Sequence, residues 1–323
     1  MQHDELLPVS LGSWPTPLEP APRLARALGL YPDDLWIKRD DLTGLGTGGN
    51  KVRKLEYTCA LARINGADTL VTTGAAQSNH ARLTAAAGAR LGLDVVLVLA
   101  GDPPPPTGNL LLDALFGAQL RWAGPVGHDA QDDLAAEVAA ELTATGSIVE
   151  ILPYGGSSVL GARGYVDCAL ELLDQEPDLN HVVVAVGSGG TMAGLAHGLG
   201  GRRVLGVDTG AVNDPLGAVR SLLAGLQAEP WTGGLNIRSD QVGAGYSALT
   251  PGVRDALWLA AHTEGVVLDP IYTGRALAGL RAAVGDGTVR PGDRTVLLHS
   301  GGLPGLFGNA ETVEYLRWMG QPR

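Results

Sequence analysis

The chain has 323 residues, of which 45% are hydrophobic and 18% charged, and carries a net charge of -11. That length allows about two domains, the composition is too apolar for disorder, and the acidic balance excludes nucleic acid or an anionic membrane as the main partner. The longest apolar strings, such as Val95-Val96-Leu97-Val98-Leu99, are strand-length, far short of the roughly 18 to 20 residues a spanning helix needs.

Met1-Gln2-His3-Asp4-Glu5 carries acid where a secretory signal carries base, and no apolar segment follows it, so a cytoplasmic protein acting on a small molecule is expected. A proline-rich stretch, Trp14-Pro15-Thr16-Pro17-Leu18-Glu19-Pro20, reads as an extended lead-in to a short helix over 23–28. Leu35-Trp36-Ile37-Lys38-Arg39 reads as a short strand. The glycine turn Gly46-Thr47-Gly48-Gly49-Asn50 then runs into a helix over 51–65, with Val52, Leu55, Cys59 and Ala62 on one apolar face and Gly66 as its stop.

From there strand, turn and helix alternate. Residues 69–72 lead through Gly74-Ala75-Ala76-Gln77-Ser78-Asn79-His80 into an alanine-rich helix ending near 91, and a strand at 94–99 precedes the stiff loop Pro103-Pro104-Pro105-Pro106. A helix at 109–116, a strand at 119–122, a helix at 130–144 and a strand at 148–152 complete a compact α/β unit, ending in Pro153-Tyr154-Gly155-Gly156-Ser157-Ser158. Beyond it, His181-Val182-Val183-Val184-Ala185-Val186 is a wholly apolar run, as expected of a buried parallel strand, and it breaks at Gly187-Ser188-Gly189-Gly190-Thr191 before a helix through 199. Later strands are expected at 204–207, 265–268 and 295–298, the last two running into Asp269-Pro270-Ile271-Tyr272-Thr273-Gly274 and His299-Ser300-Gly301-Gly302. Cys59 and Cys168 read as packed thiols, and seven scattered histidines give no metal-ligand spacing, so no metal is expected.

Several buried strands thus end in small-residue turns bearing hydroxyls or amides. In open parallel sheets the carboxyl ends of the strands line the ligand crevice, so these turns are expected to converge on one pocket. Among the basic residues, lysine is scarce: Lys38, Lys51 and Lys54 against twenty arginines. Only lysine forms an imine. A lysine at a helix start, one turn before a second lysine, is expected to have a lowered pKa, from the helix dipole and from the neighbouring ammonium. Scarcity alone is equally consistent with a solvated Lys51. The Gly187 to Thr191 loop at a helix start offers bare backbone N–H groups to an anion, but lacks the Gly-x-Gly-x-x-Gly spacing, its sixth position being Met192, and lacks a P-loop ending. A phosphate cup paired with an activated lysine suggests pyridoxal 5'-phosphate, which needs one of each.

Taken together, Gly48-Gly49-Asn50-Lys51-Val52-Arg53-Lys54-Leu55-Glu56, Gln77-Ser78-Asn79-His80, Gly155-Gly156-Ser157-Ser158, the Gly187 to Thr191 loop, Leu268-Asp269-Pro270-Ile271-Tyr272-Thr273-Gly274 and His299-Ser300-Gly301-Gly302 resemble the motif set of the D-cysteine desulfhydrase and 1-aminocyclopropane-1-carboxylate deaminase family. The resemblance implies a fold-type-II, tryptophan synthase β-like pyridoxal phosphate enzyme. It would be a homodimer of two open, mostly parallel α/β domains, with residues 1–50 and 161–323 forming the large cofactor-binding domain and 51–160 the small one. It further implies Lys51 as the Schiff-base lysine. Lys54 with Gly187, Ser188, Gly189, Gly190 and Thr191 would contact the phosphate, and Asn79 would face the cofactor's phenolic oxygen. Ser78, Asn79 and His80 would hold the substrate carboxylate, and Tyr246 and Tyr272 would be active-site tyrosines. Asn50 either reaches the cofactor or only sets the turn; Tyr246 either lines the site or packs. Ser247 follows Tyr246 where close members continue with a Gly-x-Pro sequence.

Two positions bear on subtype. The deaminase pattern has glutamate after the second tyrosine and leucine before the final Gly-Gly; here these are Thr273 and Ser300, as in desulfhydrase-like members. A hydroxyl at the pyridine nitrogen does not keep the ring protonated as a carboxylate does, which favours expulsion of a good β-leaving group over opening of a cyclopropane. The expected activity is therefore a lyase reaction on D-cysteine, with Lys51, Ser78 and Tyr272 as the catalytic residues. The alternatives are the cyclopropane deaminase, a cysteate sulfo-lyase, and a pyridoxal phosphate-binding protein without turnover.

Overall fold

The computed structural model describes residues 6–227 and 231–320. The initial Met1 to Glu5 segment lies outside them. Two parallel sheets dominate, and the reason is written in their strands. In β7 (His181–Val186), Val183 packs into one core while Val182, Val184 and Val186 pack into another; both faces are covered, so no polar alternation is needed. The same holds for β4 (Asp94–Ala100), where Val95, Leu97 and Leu99 face one cluster and Val96 and Val98 the other.

The larger sheet joins β1 (Leu18–Pro20), β2 (Leu35–Lys38), β7, β8 (Val204–Asp208), β9 (Asn236–Arg238) and β10 (Thr295–Leu298) in the order β1-β2-β10-β7-β8-β9. All its pairings are parallel except β1 with β2. The smaller sheet joins β3 (Thr69–Ala75), β4, β5 (Gln119–Trp122) and β6 (Val149–Leu152) in the order β5-β4-β3-β6, all parallel. Each sheet reverses its winding once. In the small sheet the chain runs from β3 outward to β5 and returns on the other side of β3 as β6; in the large sheet it runs from β7 outward to β9 and returns beside β7 as β10. Crevices form outside the carboxyl ends of strands at such reversals. Here they fall between β3 and β6 and between β7 and β10.

Helices cover the sheets. They are α1 (Pro22–Leu28), α2 (Lys51–Ile64), α3 (Asn79–Leu91), α4 (Asn109–Leu115), α5 (His128–Ala144), α6 (Val159–Gln175), α7 (Gly190–Leu199), α8 (Pro215–Leu226), α9 (Pro251–Glu264), α10 (Thr273–Gly285), α11 (Leu303–Gly308) and α12 (Ala310–Met319). Helix α2 packs on both α3 and α6. A Cβ at Gly164 of α6 would lie 2.2 Å from the Arg53 carbonyl oxygen, so that crossing admits only glycine.

Three expectations need correction. The apolar stretch at 265–268 is not a strand: Gly265 terminates α9 in the left-handed conformation and an irregular segment leads directly to α10. Leu18–Pro20, read as a lead-in, pairs with β2 as an edge strand. Helix α2 is not buried on one face alone, since Arg53, Lys54, Glu56 and Thr58 are buried as well. Their polar atoms find partners inside: Arg53 makes a two-pronged contact with Asp40 at 2.9 Å, and Glu56 accepts from the backbone N–H of Leu11 and Gly12. Cys59 and Cys168 are free and buried, and no helix among the described residues is long and apolar enough to cross a membrane.

Candidate active site

A cleft collects the loops at both reversal points. Ser78, Asn79 and His80 follow β3; Tyr154 and Gly155 follow β6; Gly187, Ser188, Gly189 and Thr191 follow β7; Ser300 follows β10; and Asn50, Lys51, Lys54 and Tyr272 complete the wall.

Lys51 is the first residue of α2. The turn before it needs glycine: Gly48 has φ of 75°, and a Cβ there would lie 1.9 Å from the Asp41 carbonyl oxygen. Gly49 donates to Thr43 Oγ1 at 2.9 Å and Asn50 N to Ser300 O at 3.0 Å, which ties the turn to the end of β10. Lys51 Nζ donates to Gly155 O at 2.9 Å, and burial lowers its pKa from 10.5 to about 8. The neighbouring Lys54 acts in the opposite sense to the expected repulsion: as a hydrogen-bond partner it raises Lys51, and Lys54 itself is pushed well below its ordinary value, first by burial and then by the charge on Lys51. Of two amines in one dry cleft, one holds the proton. Lys38, the remaining lysine, is wholly buried and committed to Glu171, Gln175 and the Thr16 carbonyl, which leaves no free amine there.

Lys54 Nζ donates to Ser157 Oγ at 2.9 Å, Ser157 and Ser188 share a hydrogen bond of 2.7 Å, and Gly190 N donates to Ser157 Oγ at 3.2 Å. A Cβ on Gly190 would lie 2.7 Å from Ser157 Oγ and 2.9 Å from Lys54 Nζ. This is a cradle of donors at a helix start, with the Lys54 amine to one side, and a phosphate group fits its chemistry. Asn50 Nδ2 donates to Thr191 Oγ1 at 3.0 Å, so Asn50 braces the cradle.

Opposite stands α3. Ser78 caps it, accepting from Ala81 N at 3.1 Å, which leaves its hydroxyl proton free to donate. His80 Nε2 lies 3.0 Å from Thr72 Oγ1, and that hydroxyl also lies 3.0 Å from the Leu152 carbonyl oxygen. A hydroxyl has one proton and a carbonyl only accepts, so Thr72 donates to Leu152 and His80 Nε2–H donates to Thr72. Burial, followed by the Lys51 and Lys54 charges, depresses the imidazole pKa well below 6.5; His80 is neutral, with Nδ1 an unprotonated acceptor that has no partner among the described residues.

Tyr272 opens α10 rather than ending a strand. The turn into that helix is held by Asp269, whose carboxylate accepts from the backbone N–H of Ile271, Tyr272 and Thr273 at 2.8 to 2.9 Å. The Tyr272 and Tyr246 hydroxyls are 2.5 Å apart, and burial raises both phenol pKa values, so both are protonated at neutral pH. Tyr246 sits behind Tyr272, outside the cleft lining. Thr273 also stands outside it: its hydroxyl donates to Asp269 Oδ1 and accepts from Asp269 N, both at 2.7 Å, so it stabilises the turn instead of facing a ligand. Tyr154 and Gly155 were not singled out from sequence as site residues, although they directly follow a strand that ends at a reversal point. No group of His, Cys, Asp and Glu that could hold a metal is found among the described residues.

A family model described as pyridoxal-phosphate dependent enzyme matches residues 9–301. A protein of Salmonella typhi named D-cysteine desulfhydrase is 41% identical, covering 91% of this chain and 93% of the relative. A Pyrococcus furiosus protein, provisionally named as a 1-aminocyclopropane-1-carboxylate deaminase, is 38% identical with 94% of each chain covered. Among solved structures, one titled as an ACC deaminase homologue superposes with a TM-score of 0.87 at 34% identity over 97% of each chain. Threonine deaminase isoform 2 of Solanum lycopersicum shares the fold, with a TM-score of 0.69 at 19% identity over 95% of this chain and 88% of that one.

Proposed function

This chain belongs to the family of pyridoxal-phosphate dependent enzymes, and from that premise we propose that it is a lyase that eliminates the β-substituent of a small amino acid, D-cysteine first among them. With one water consumed, D-cysteine yields pyruvate, hydrogen sulfide and ammonia. The relatives carry two names at nearly equal identity, so the choice rests on the cleft. One observation carries it: among the described residues lining the cleft there is no carboxylate. The acid nearest in sequence to Tyr272, Asp269, is taken up by three backbone N–H groups and Thr273. Nothing in the wall would keep a pyridine nitrogen protonated, and Ser300 at the end of β10 offers only a hydroxyl.

When bound, pyridoxal phosphate supplies an electron sink for the pair left on Cα after proton loss. The chain's own groups do the rest. Lys54, Ser157, Ser188 and the start of α7 would hold the phosphate. Asn79 would face the phenolic oxygen, and Ser78 would donate to the substrate carboxylate. As the free amine, which its lowered pKa of about 8 makes available in a growing fraction toward that pH, Lys51 takes the α-proton better than Ser78, whose oxygen is engaged as a helix cap. Tyr272, protonated and backed by Tyr246, gives its proton to the departing thiolate.

The test is a panel of D-cysteine, L-cysteine, cysteate, β-chloro-D-alanine and 1-aminocyclopropane-1-carboxylate, with the released keto acid identified. Pyruvate from D-cysteine at the highest kcat/KM is expected. Efficient release of 2-oxobutanoate from the cyclopropane would move the assignment to the deaminase, and a bound chromophore without any turnover would make the protein a cofactor-binding one.

A further inference from the structure

Asn79 lines the cleft, and what stands behind it settles which end of its amide faces inward. Its Oδ1 accepts from Arg82 Nη1 and from Asn109 Nδ2, each at 3.1 Å. A guanidinium only donates, so the amide oxygen, not the nitrogen, must face it. Asn109 cannot reverse either: its Oδ1 accepts from the same Arg82 Nη1 at 3.0 Å, while its Nδ2 also donates to the Gln77 carbonyl at 2.9 Å. Arg82 is fully buried, and although burial lowers its pKa to about 10 it stays charged at neutral pH. Its Nη2 donates to Gly48 O at 2.8 Å, in the glycine turn that delivers Lys51.

We propose that Arg82, with Asn109, is the positioning residue that holds the Asn79 amide with its N–H groups toward the cofactor's phenolic oxygen. The proposal rests on the reading that places Asn79 opposite that oxygen. With both acceptor sites of Oδ1 filled, the amide presents donors alone, and the cation on its oxygen strengthens those donors. Without Arg82 only the Asn109 amide holds that oxygen, and a half-turn that sets oxygen against oxygen becomes accessible. The same guanidinium ties the lysine turn to the amide, so one side chain sets both the turn that delivers Lys51 and the Asn79 amide.

The experiment compares Asn79→Ala, Arg82→Met, Arg82→Lys, Asn109→Ala and the Asn79→Ala/Arg82→Met double variant with the parent. It reads the cofactor dissociation constant, the pH titration of the visible absorbance of the holoenzyme, and the melting temperature of the apoenzyme. Asn79→Ala and Arg82→Met should each weaken cofactor retention by roughly tenfold and move the titration in the same direction, with the double variant no worse than either single one. Arg82→Lys should recover part of the loss, since it restores the charge without the fork. If Asn79→Ala leaves both readouts unchanged, the reading of Asn79 fails. If Asn79→Ala changes them while Arg82→Met does not, or the two losses multiply in the double variant, the positioning role of Arg82 is overturned. Should Arg82→Met fail to fold, Asn109→Ala decides: a smaller shift of the same sign is expected, and none would overturn the proposal.

Discussion

Replacing Lys51 by methionine should stabilise the apoenzyme at neutral pH. Burial lowers the Lys51 pKa from 10.5 to about 8, so keeping this amine charged in the folded chain at pH 7 costs at most about 3 kcal/mol, at about 1.4 kcal/mol per pH unit. The side chain is partly open to the cleft, and the hydrogen bond to Gly155 O, worth about 1 kcal/mol, is lost with it, which leaves a gain of about 2 kcal/mol. For a chain of this length, with an unfolding entropy of about 0.7 kcal/mol per degree, that is a rise of about 3 °C in melting temperature. The sign follows from proton counts. The folded pKa lies below the unfolded one, so the unfolded chain binds more protons between pH 8 and 10.5, and wild-type stability recovers as pH rises through that window. The advantage of Lys51→Met should therefore be full at pH 7 and gone near pH 10.5. Calorimetry of both apoproteins at the two pH values checks this. A variant that melts below wild type at pH 7, or keeps an equal advantage at high pH, would show that burial is not what lowers this amine.

In the holoenzyme, borohydride reduction and peptide mapping should place the pyridoxyl group on Lys51; a label on Lys38 or Lys54 would refute its role. Tyr272→Phe should keep the cofactor spectrum and lose no more than about 1 kcal/mol of stability, while kcat falls by roughly 10² or more; wild-type turnover would return Tyr272 to packing. Asp113, buried beside Arg82, has its pKa pushed up to about 7 by burial. Because the folded form holds that proton more tightly, its stabilisation is full below pH 4 and lost as pH rises through 7. Asp113→Asn should accordingly gain on wild type by a few kcal/mol between pH 4.5 and 7.5 in urea unfolding, and parallel pH profiles would refute the assignment.

Much of this architecture is legible along the chain because the inner strands β4, β7, β8 and β10 are covered on both faces, so they are mostly apolar and their carboxyl-end turns stand out as small and polar. Strand β10 falls where its apolar run places it, and the alternating Gln119–Trp122 forms the edge strand β5. The stretch at 265–268 fails because a short apolar run is as compatible with an irregular buried segment as with a strand, and the stop signal of Gly265 competes with it. The lysine was legible, but the cause of its lowered pKa was not, since desolvation depends on which residues close over Nζ. Arg82 carries no local signal at all. Its hydrogen bonds reach Gly48, Asn79 and Asn109, three positions that only the folded chain brings together. Thr273 illustrates the converse, a residue whose place in a motif suggested a ligand contact and whose hydroxyl is spent on its own turn.

The two reversal points face each other across the cleft, and each belongs to a different sheet. A molecule seated there touches loops from both sheets, beside direct links such as the Ser157–Ser188 hydroxyl contact and the Asn50–Thr191 hydrogen bond. Binding thus adds a tie between the two sheets to the packing of α2 on α6. With the cofactor absent, calorimetric and van't Hoff enthalpies have reason to diverge; with it bound, unfolding of either sheet forfeits the binding energy, and the transition becomes cooperative at a temperature that depends on ligand concentration.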